Sequence, residues 1–367
     1  MNGKFRIALC LVLVLVNVVC YSAAAPAPAQ CWLNYSRIHY TTIPHDLESG
    51  YGAIVKELGA GTTGSVFLLL RHIDNATVAV KRFHNAAADQ DDVFAQRVKL
   101  EYHLGTLLNG HSGIAESFEL LLETRSSTWF LVTEFCPRSL AKERLSTSLE
   151  SLTKTFRGIL EAVEHMHSRS ISHGDLKLEN VLLTADGRPK LIDFGAATFS
   201  QCPTETPGSA NSVNVVPGDY GTTAYMPPDI FTQLEFDKEK ADVWALGILF
   251  YAMIIGSVPW SAASINDPRY QAYVTPGPLE DSVKSGHCPS SEKSTINFET
   301  CSTGAFHMLQ KLPSDSRDMI ASMLVPEPLD RPSLQTLLSS IPQTRRFWPV
   351  LSNCEIEVSE LRKQTFG

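Results

Sequence analysis

His173-Gly174-Asp175-Leu176-Lys177-Leu178-Glu179-Asn180, followed by Asp193-Phe194-Gly195, is the stretch on which the reading of this chain turns. It brings two carboxylates (Asp175 and Asp193), an amine (Lys177) and a side-chain amide (Asn180) into one short span. Phosphoryl transfer from a nucleotide needs an acidic group beside the attacking hydroxyl, a cation at the phosphoryl being moved, and two oxygen ligands for Mg²⁺. Asp175 would orient the hydroxyl and accept its proton, and Lys177 would neutralise the transferring group. Asn180 and Asp193 would hold the metal.

The flanking sequence carries matching parts. Leu58-Gly59-Ala60-Gly61-Thr62-Thr63-Gly64-Ser65-Val66 has the form G-x-G-x-x-G-x-V, whose glycines let a strand-turn-strand backbone approach phosphates. Alone, such a turn is a weak signal. Here Val78-Ala79-Val80-Lys81 follows on the next β-rich run, and Glu101 stands in the helical stretch after that. Thr133-Glu134-Phe135-Cys136, Gly221-Thr222-Thr223-Ala224-Tyr225-Met226-Pro227-Pro228-Asp229, Asp242-Val243-Trp244 and Asp330-Arg331-Pro332 come later, in that order. The ordered set resembles the eukaryotic-type protein kinases over roughly residues 51–347. Lys177, two residues past Asp175, resembles the serine/threonine members.

That resemblance implies an α+β, bilobal protein-kinase fold. A strand-rich antiparallel lobe with one helix is expected over residues 51–135, a mainly helical lobe over 136–347, and a tail over 348–367. It implies ATP with Mg²⁺, Mn²⁺ being the alternative metal, and a protein substrate with a Ser or Thr acceptor. It makes Lys81, paired with Glu101, the ligand of the α- and β-phosphates. Leu58, Gly59, Gly61 and Gly64 become the loop over the phosphates, with Val66 covering the adenine and Ala79 in its pocket. Backbone groups of Glu134 and Cys136 would bond the adenine edge, with Thr133 limiting the back of the pocket. Thr222 is implied to bond Asp175 and Lys177, Asp229 to pair with Arg331, Asp242 to support the catalytic-loop backbone, and His173 to pack beside Phe194.

The chain departs from the family pattern at several places. Gly105 stands where a bulky apolar residue usually links the lobes, and a mid-helix glycine costs about 1 kcal/mol relative to alanine, so a loosely held helix is expected. Gly174 replaces the arginine that usually grips an activation-loop phosphate, which implies activity without the usual dependence on that phosphate. Pro227 and Asp229 replace Ala and Glu. Two alternatives therefore stay open, a pseudokinase or binding module, and a kinase of sugars or small metabolites. His-Gly-Asp-Leu also resembles the loop of aminoglycoside and choline kinases, although these typically lack a lysine at the position of Lys177 and the segment from Gly221.

Residues 1–24 read as a secretory leader: Lys4 and Arg6 precede an apolar run from Ile7 to Val19, and Ser22-Ala23-Ala24-Ala25 offers a cleavage site. The run is too short to span a bilayer comfortably, so no stable membrane span is expected in the mature chain, an uncleaved anchor being the alternative. The expected address is the secretory lumen or the exterior. Asn34-Tyr35-Ser36 and Asn75-Ala76-Thr77 are glycosylation sequons, the second in a polar break where a turn is expected. Of 8 cysteines, Cys31, Cys136, Cys202, Cys288, Cys301 and Cys354 lie beyond the leader, enough for disulfides. Cys288–Cys301 is one pairing considered, while Cys136 reads as a free, partly buried thiol. With 44% hydrophobic and 19% charged residues and a formal net charge of -8, the 367-residue chain has an ordinary globular composition and no polycation for nucleic acid. Nothing in it sets an oligomeric state.

Residues 25–50 read as an irregular lead-in. β-Rich runs are expected over Tyr51–Leu70, Thr77–Phe83 and Trp129–Phe135, with a helix over Asp91–Leu108. Helices are expected over Ser148–His167, Ala241–Ile255 (buried), Asp315–Leu324 and Leu334–Ser339. Gln201–Asp219 and Pro276–Gly304 read as inserted loops. His165 and His167, two apart on a helix, face different ways and make poor joint metal ligands.

Overall fold

A computed structural model of the chain describes residues 38–85, 91–143, 148–200, 221–231, 236–275, 308–309 and 311–341. The leader, Asn34, the two inserted loops and Cys288 with Cys301 lie outside these residues.

The amino-terminal part is built on a sheet. β1 (Thr41–Ile43) and the short helix α1 (Leu47–Gly50) come first, then β2 (Gly52–Ala60), β3 (Gly64–Arg71) and β4 (Thr77–Phe83). Helix α2 (Asp91–Leu107), β5 (Ser117–Glu123) and β6 (Thr128–Glu134) complete it. The strand order is β1-β5-β6-β4-β3-β2, antiparallel apart from β1, which runs parallel to β5. The expectation of an irregular lead-in is corrected here. Ile43 and Leu47 are buried in a cluster with Leu69, Val80, Leu121 and Phe130, so the sheet recruits the segment before Tyr51.

Alternation in these strands explains two cores. One face carries that cluster, and the other packs α2, with Phe94 and Val98 against Phe83, Leu120, Trp129 and Leu131. On α2, Phe94, Val98, Glu101 and Leu104 recur every three or four residues and form the buried stripe. One member of that stripe is charged, which marks it for the site.

The carboxy-terminal part is mainly helical. β7 (Arg138–Ser139) leads to α3 (Leu149–His167), whose Ser148 cap accepts a hydrogen bond from Ser151 N at 3.3 Å. The short strands β8 (Ile171–Ser172), β9 (Val181–Leu183), β10 (Pro189–Leu191) and β11 (Thr198–Phe199) pair as β10-β9-β7 and β11-β8. They present the loop between β8 and β9 and the loop between β10 and β11 side by side. α4 (Lys238–Ile255) starts at Asp237, which caps Lys240 N, and stops at Gly256 with φ 90°. Every residue from Ala241 to Ile255 is buried, so α4 is the core of this part. Each large side chain so buried contributes about 1.5–3 kcal/mol. α5 (Pro268–Val274) and α6 (Ser314–Met323) pack on it, and α7 (Leu334–Ser340) packs on α3, where Arg157 donates to Leu338 O and Ile341 O. Among the described residues no helix is long and apolar enough to cross a membrane.

Candidate active site

β2 and β3 meet in the glycine-rich turn, closed by Gly61 N donating to Gly64 O at 2.8 Å. A β-carbon at Gly64 would lie 2.3 Å from Arg82 O, so this glycine is fixed by close packing on β4. At Gly59 and Gly61 a β-carbon would meet nothing within 4 Å. Their bareness serves no internal contact, as expected of a surface that lies against a ligand's phosphates.

Under this turn, Lys81 on β4 donates to Glu101 Oε1 at 2.7 Å and to Asp193 Oδ1 at 2.8 Å. One ammonium thus ties β4, α2 and the Asp193 loop together. Burial alone would lower the Lys81 pKa, but Glu101 and Asp193 outweigh it and raise it, so the ammonium stays charged. Burial pushes Glu101 above its ordinary value against the pull of Lys81. Asp193 is also pushed up by burial, yet Lys81 prevails and holds it below the ordinary range, ionised as a metal ligand must be. Its φ of 64° is left-handed, a conformation non-glycine residues rarely adopt and one that turns its carboxylate toward Lys81. Glu101 is the α2 acid that meets Lys81.

Gly105 is not a loosening element. A β-carbon there would sit 2.2 Å from Ser117 Oγ and 3.5 Å from Phe194 Cδ2. The glycine lets α2 seat directly on β5 and on the aromatic ring after Asp193, the opposite of the expected loose helix.

The loop after β8 is held from below. Asp242, on α4, accepts from His173 N at 2.8 Å, from Gly174 N at 3.0 Å, and pairs with His167 Nε2 at 2.9 Å. Gly174 has φ 77°, so the missing side chain relieves strain at that bend. His173 Nδ1 accepts from Asp175 N and its Nε2 faces Ile192 O, both at 3.3 Å, which fixes the ring beside Phe194 at 5.8 Å between centroids. Held in this frame, Asp175 Oδ2 accepts from Lys177 Nζ at 2.6 Å and Oδ1 from Thr222 Oγ1 at 3.0 Å. Lys177 Nζ also reaches Thr222 Oγ1 at 2.8 Å. Asn180 Nδ2 donates to Asp175 O at 2.8 Å and to Oδ2 at 3.1 Å, which aims its amide oxygen away from the loop.

A profile of the protein kinase domain matches residues 53–341. The chain belongs to the protein kinase family. It is 30% identical over 308 residues to the probable serine/threonine-protein kinase RTK1 of Saccharomyces cerevisiae, covering 81% of this chain and 45% of that protein. It is 29% identical to the nitrogen permease reactivator protein of the same yeast, over 77% of this chain and 37% of that one. It is 26% identical to the serine/threonine-protein kinase oca2 of Schizosaccharomyces pombe, over 77% and 46%. The chain therefore spans less than half the length of these relatives.

Other kinase-domain supports are in place. Asp229 Oδ1 accepts from Arg331 Nη2 at 2.5 Å with both side chains buried. The guanidinium also donates to the carbonyls of Val325, Lys240 and Pro326, which seat it beside Asp229. Cys136 is buried and free, and burial with Glu134 nearby pushes its thiol up to about 11, an unreactive state. Glu134 ends β6, its N–H taken by Glu116 O. Leu58, Val66 and Ala79 lie on the strands that carry the glycine turn and Lys81.

Among the described residues no group of three His, Cys, Asp or Glu side chains is placed to hold a metal by itself. Asp193 and Asn180 nevertheless fit Mg²⁺, which is usually bound by one or two carboxylates and completed by phosphate oxygens and water. His165 stacks on His111 at 4.5 Å, whereas His167 turns to Asp242, so the two histidines do separate work.

Sequence reasoning passed over Lys190. This buried lysine on β10 donates to Glu134 Oε2 at 2.7 Å and to Ile114 O at 3.1 Å, clamping the strand that leads into Asp193 to the end of β6. A lysine inside a short apolar strand three residues before Asp193 was the available signal.

Proposed function

We propose that this chain is a serine/threonine protein kinase working in the secretory lumen or outside the cell. It transfers the γ-phosphoryl of ATP to a Ser or Thr hydroxyl of a protein. The observation that carries the reading is the Asp175–Lys177–Thr222 triangle with Asn180 bonded to its corner. Asp175 offers Oδ2 to an incoming hydroxyl and takes its proton as the oxygen–phosphorus bond forms. Lys177, already oriented, faces the charge that gathers on the phosphoryl oxygens as the bond to the leaving ADP oxygen breaks. Lys81, held by Glu101, positions the other phosphates. Asn180 and Asp193 would hold Mg²⁺, which would supply positive charge against the phosphates. Thr222 ties the segment that would seat a peptide to the acid that acts on it, which favours a protein acceptor over a metabolite.

The leader supports the address. Asn75 supports it too: it is exposed, in a turn with φ 55°, where a glycosylating enzyme can reach it.

The test is labelled-phosphate transfer from ATP by the chain from about residue 30, made in a secretory host, onto basic proteins and onto sugars and choline. Transfer to Ser and Thr that disappears in Asp175→Asn and Asp193→Asn is expected. No transfer, with Mg-ATP still raising the melting temperature, would sink the enzyme reading, and transfer confined to small acceptors would sink the substrate class. A glycosidase-sensitive mobility shift of the full chain carried by its own residues 1–24, smaller in Asn75→Gln and absent when that segment is deleted, checks the address.

A further inference from the structure

The segment ahead of the kinase motifs is built into the sheet. β1 pairs in parallel with β5, Thr41 opposite Leu121 and Ile43 opposite Glu123, and Thr124 N closes on Ile43 O at 3.1 Å. Ile43 and Leu47 anchor it in the sheet core, so its position is fixed. One residue earlier, Tyr40 lays its ring edge-on to Trp129 at 5.0 Å between centroids and 69° between planes. Trp129 belongs to the cluster that joins α2 to the sheet. From α2, Lys99 places its ammonium 5.2 Å from the Tyr40 ring and 5.7 Å from the Trp129 ring. Lys99 is two residues before Glu101, whose bond to Lys81 assembles the site.

We propose that Tyr40 and Lys99 are positioning residues, a cis clamp through which the amino-terminal strand holds α2 with Glu101 on Lys81. The chemistry fits a clamp. A lysine over the faces of a tyrosine and a tryptophan is attracted by both rings. A contact of that kind weighs about two- to fivefold in an equilibrium at partly exposed rings. α2 needs such a hold because a charged residue, Glu101, interrupts its apolar stripe. Burial penalises that carboxylate, and Lys81 compensates only while the helix stays seated. Without the clamp, the seated and withdrawn positions of α2 draw closer in free energy, and the fraction of molecules with Lys81 paired falls.

The consequence for catalysis rests on the protein-kinase reading, while the clamp itself does not. The experiment therefore has two arms on the full chain. Amide hydrogen exchange is followed in Tyr40→Ala, Lys99→Gln, Tyr40→Phe and Lys99→Arg. In the first two, exchange over residues 91–107 is expected to rise about fivefold or more, with α3 and α4 unchanged. The aromatic and cationic replacements, Tyr40→Phe and Lys99→Arg, are expected to keep wild-type protection. Unchanged exchange in α2, a rise spread equally through α3 and α4, or failure of the conservative pair to restore protection would each overturn the clamp. In the second arm, phosphate transfer should lose kcat in the same two variants and keep it in the conservative pair. An active wild type whose kcat ignores Tyr40→Ala would also overturn it. A wild type without transfer would count against the kinase reading only, since exchange decides the clamp.

Discussion

Gly105→Ala decides whether the small residue on α2 is a defect or a fitted part. At an open helical position the change would stabilise the chain by about 1 kcal/mol. Here the new methyl would lie 2.2 Å from Ser117 Oγ and 3.1 Å from Ser117 Cβ. The overlap with the hydroxyl is the severe one and the contact to Cβ is tight only by a few tenths of an ångström, so the buried hydroxyl is driven from its seat and α2 backs away slightly. Overpacking of this kind costs about 1–3 kcal/mol, which exceeds the helical gain. A net loss of about 1 kcal/mol is expected, with a fall in kcat as the 2.7 Å bond from Lys81 to Glu101 on the same helix stretches. Ser117→Ala removes the nearer clash, so the double variant should return to within about 0.5 kcal/mol of its Ser117→Ala parent, a coupling of about 1 kcal/mol. Urea unfolding of the four proteins, with transfer rates beside it, measures both quantities. Stabilisation by Gly105→Ala alone, or additivity with Ser117→Ala, would refute the close-packing argument.

Three other outcomes are expected. Arg331→Ala strands the buried Asp229 carboxylate and should cost about 3–5 kcal/mol, lowering the melting temperature by about 10 °C; a drop below about 3 °C would contradict a structural role. Lys190→Met frees Glu134 and the Ile114 carbonyl, and should raise KM for ATP about three- to tenfold with kcat little changed, since the bond it loses orders the adenine edge and not the catalytic loop. A change confined to kcat would place Lys190 elsewhere in the reaction. Burial pushes both His111 and His165 below their ordinary value, helped at each by Arg169 and opposed by Glu164, with Glu161 and Lys190 also acting on His111. The unfolded chain then binds more protons than the folded one just below pH 6.5, so stability present above that pH is lost as the medium acidifies. Melting between pH 7.5 and 5 should therefore fall less steeply in His165→Phe than in wild type, and an identical slope would exclude the pair as its cause.

How much of this was readable in advance follows from the range of each signal. Motif residues within one loop, such as Asp175, Lys177 and Asn180, were legible because their spacing along the chain is their spacing in the site. Helices α3 and α4 were legible from their long apolar-patterned runs, Ser148–His167 and Ala241–Ile255. β1 was not, because three residues gain strand structure only by pairing with β5, about eighty positions on. α5 was missed although Asp267-Pro268 is a proper start, its acid capping Arg269 N at 2.9 Å. The Lys190–Glu134 bond, the Tyr40–Lys99–Trp129 stack and the fit of Gly105 to Ser117 are contacts across elements, and no local pattern encodes them.

The departures from the family pattern bear on whether the site works, and the structure shows where they fall. Loss of function by drift would remove groups singly and leave cavities or orphaned partners behind. In this chain small residues meet small ones. Gly105 meets Ser117, and Gly174 meets Gly221, whose own β-carbon would come 2.7 Å from Gly174 O. The shortened acid Asp229 still meets Arg331, which also donates to three backbone carbonyls. Meanwhile the four groups that touch the chemistry, Asp175, Lys177, Asn180 and Asp193, keep both their identity and their bonds. Change at the supports with matched fit, and none at these four groups, favours the proposed activity over the binding-module alternative. The Gly105–Ser117 cycle tests the close fit itself, because residues in contact couple whereas independent ones add.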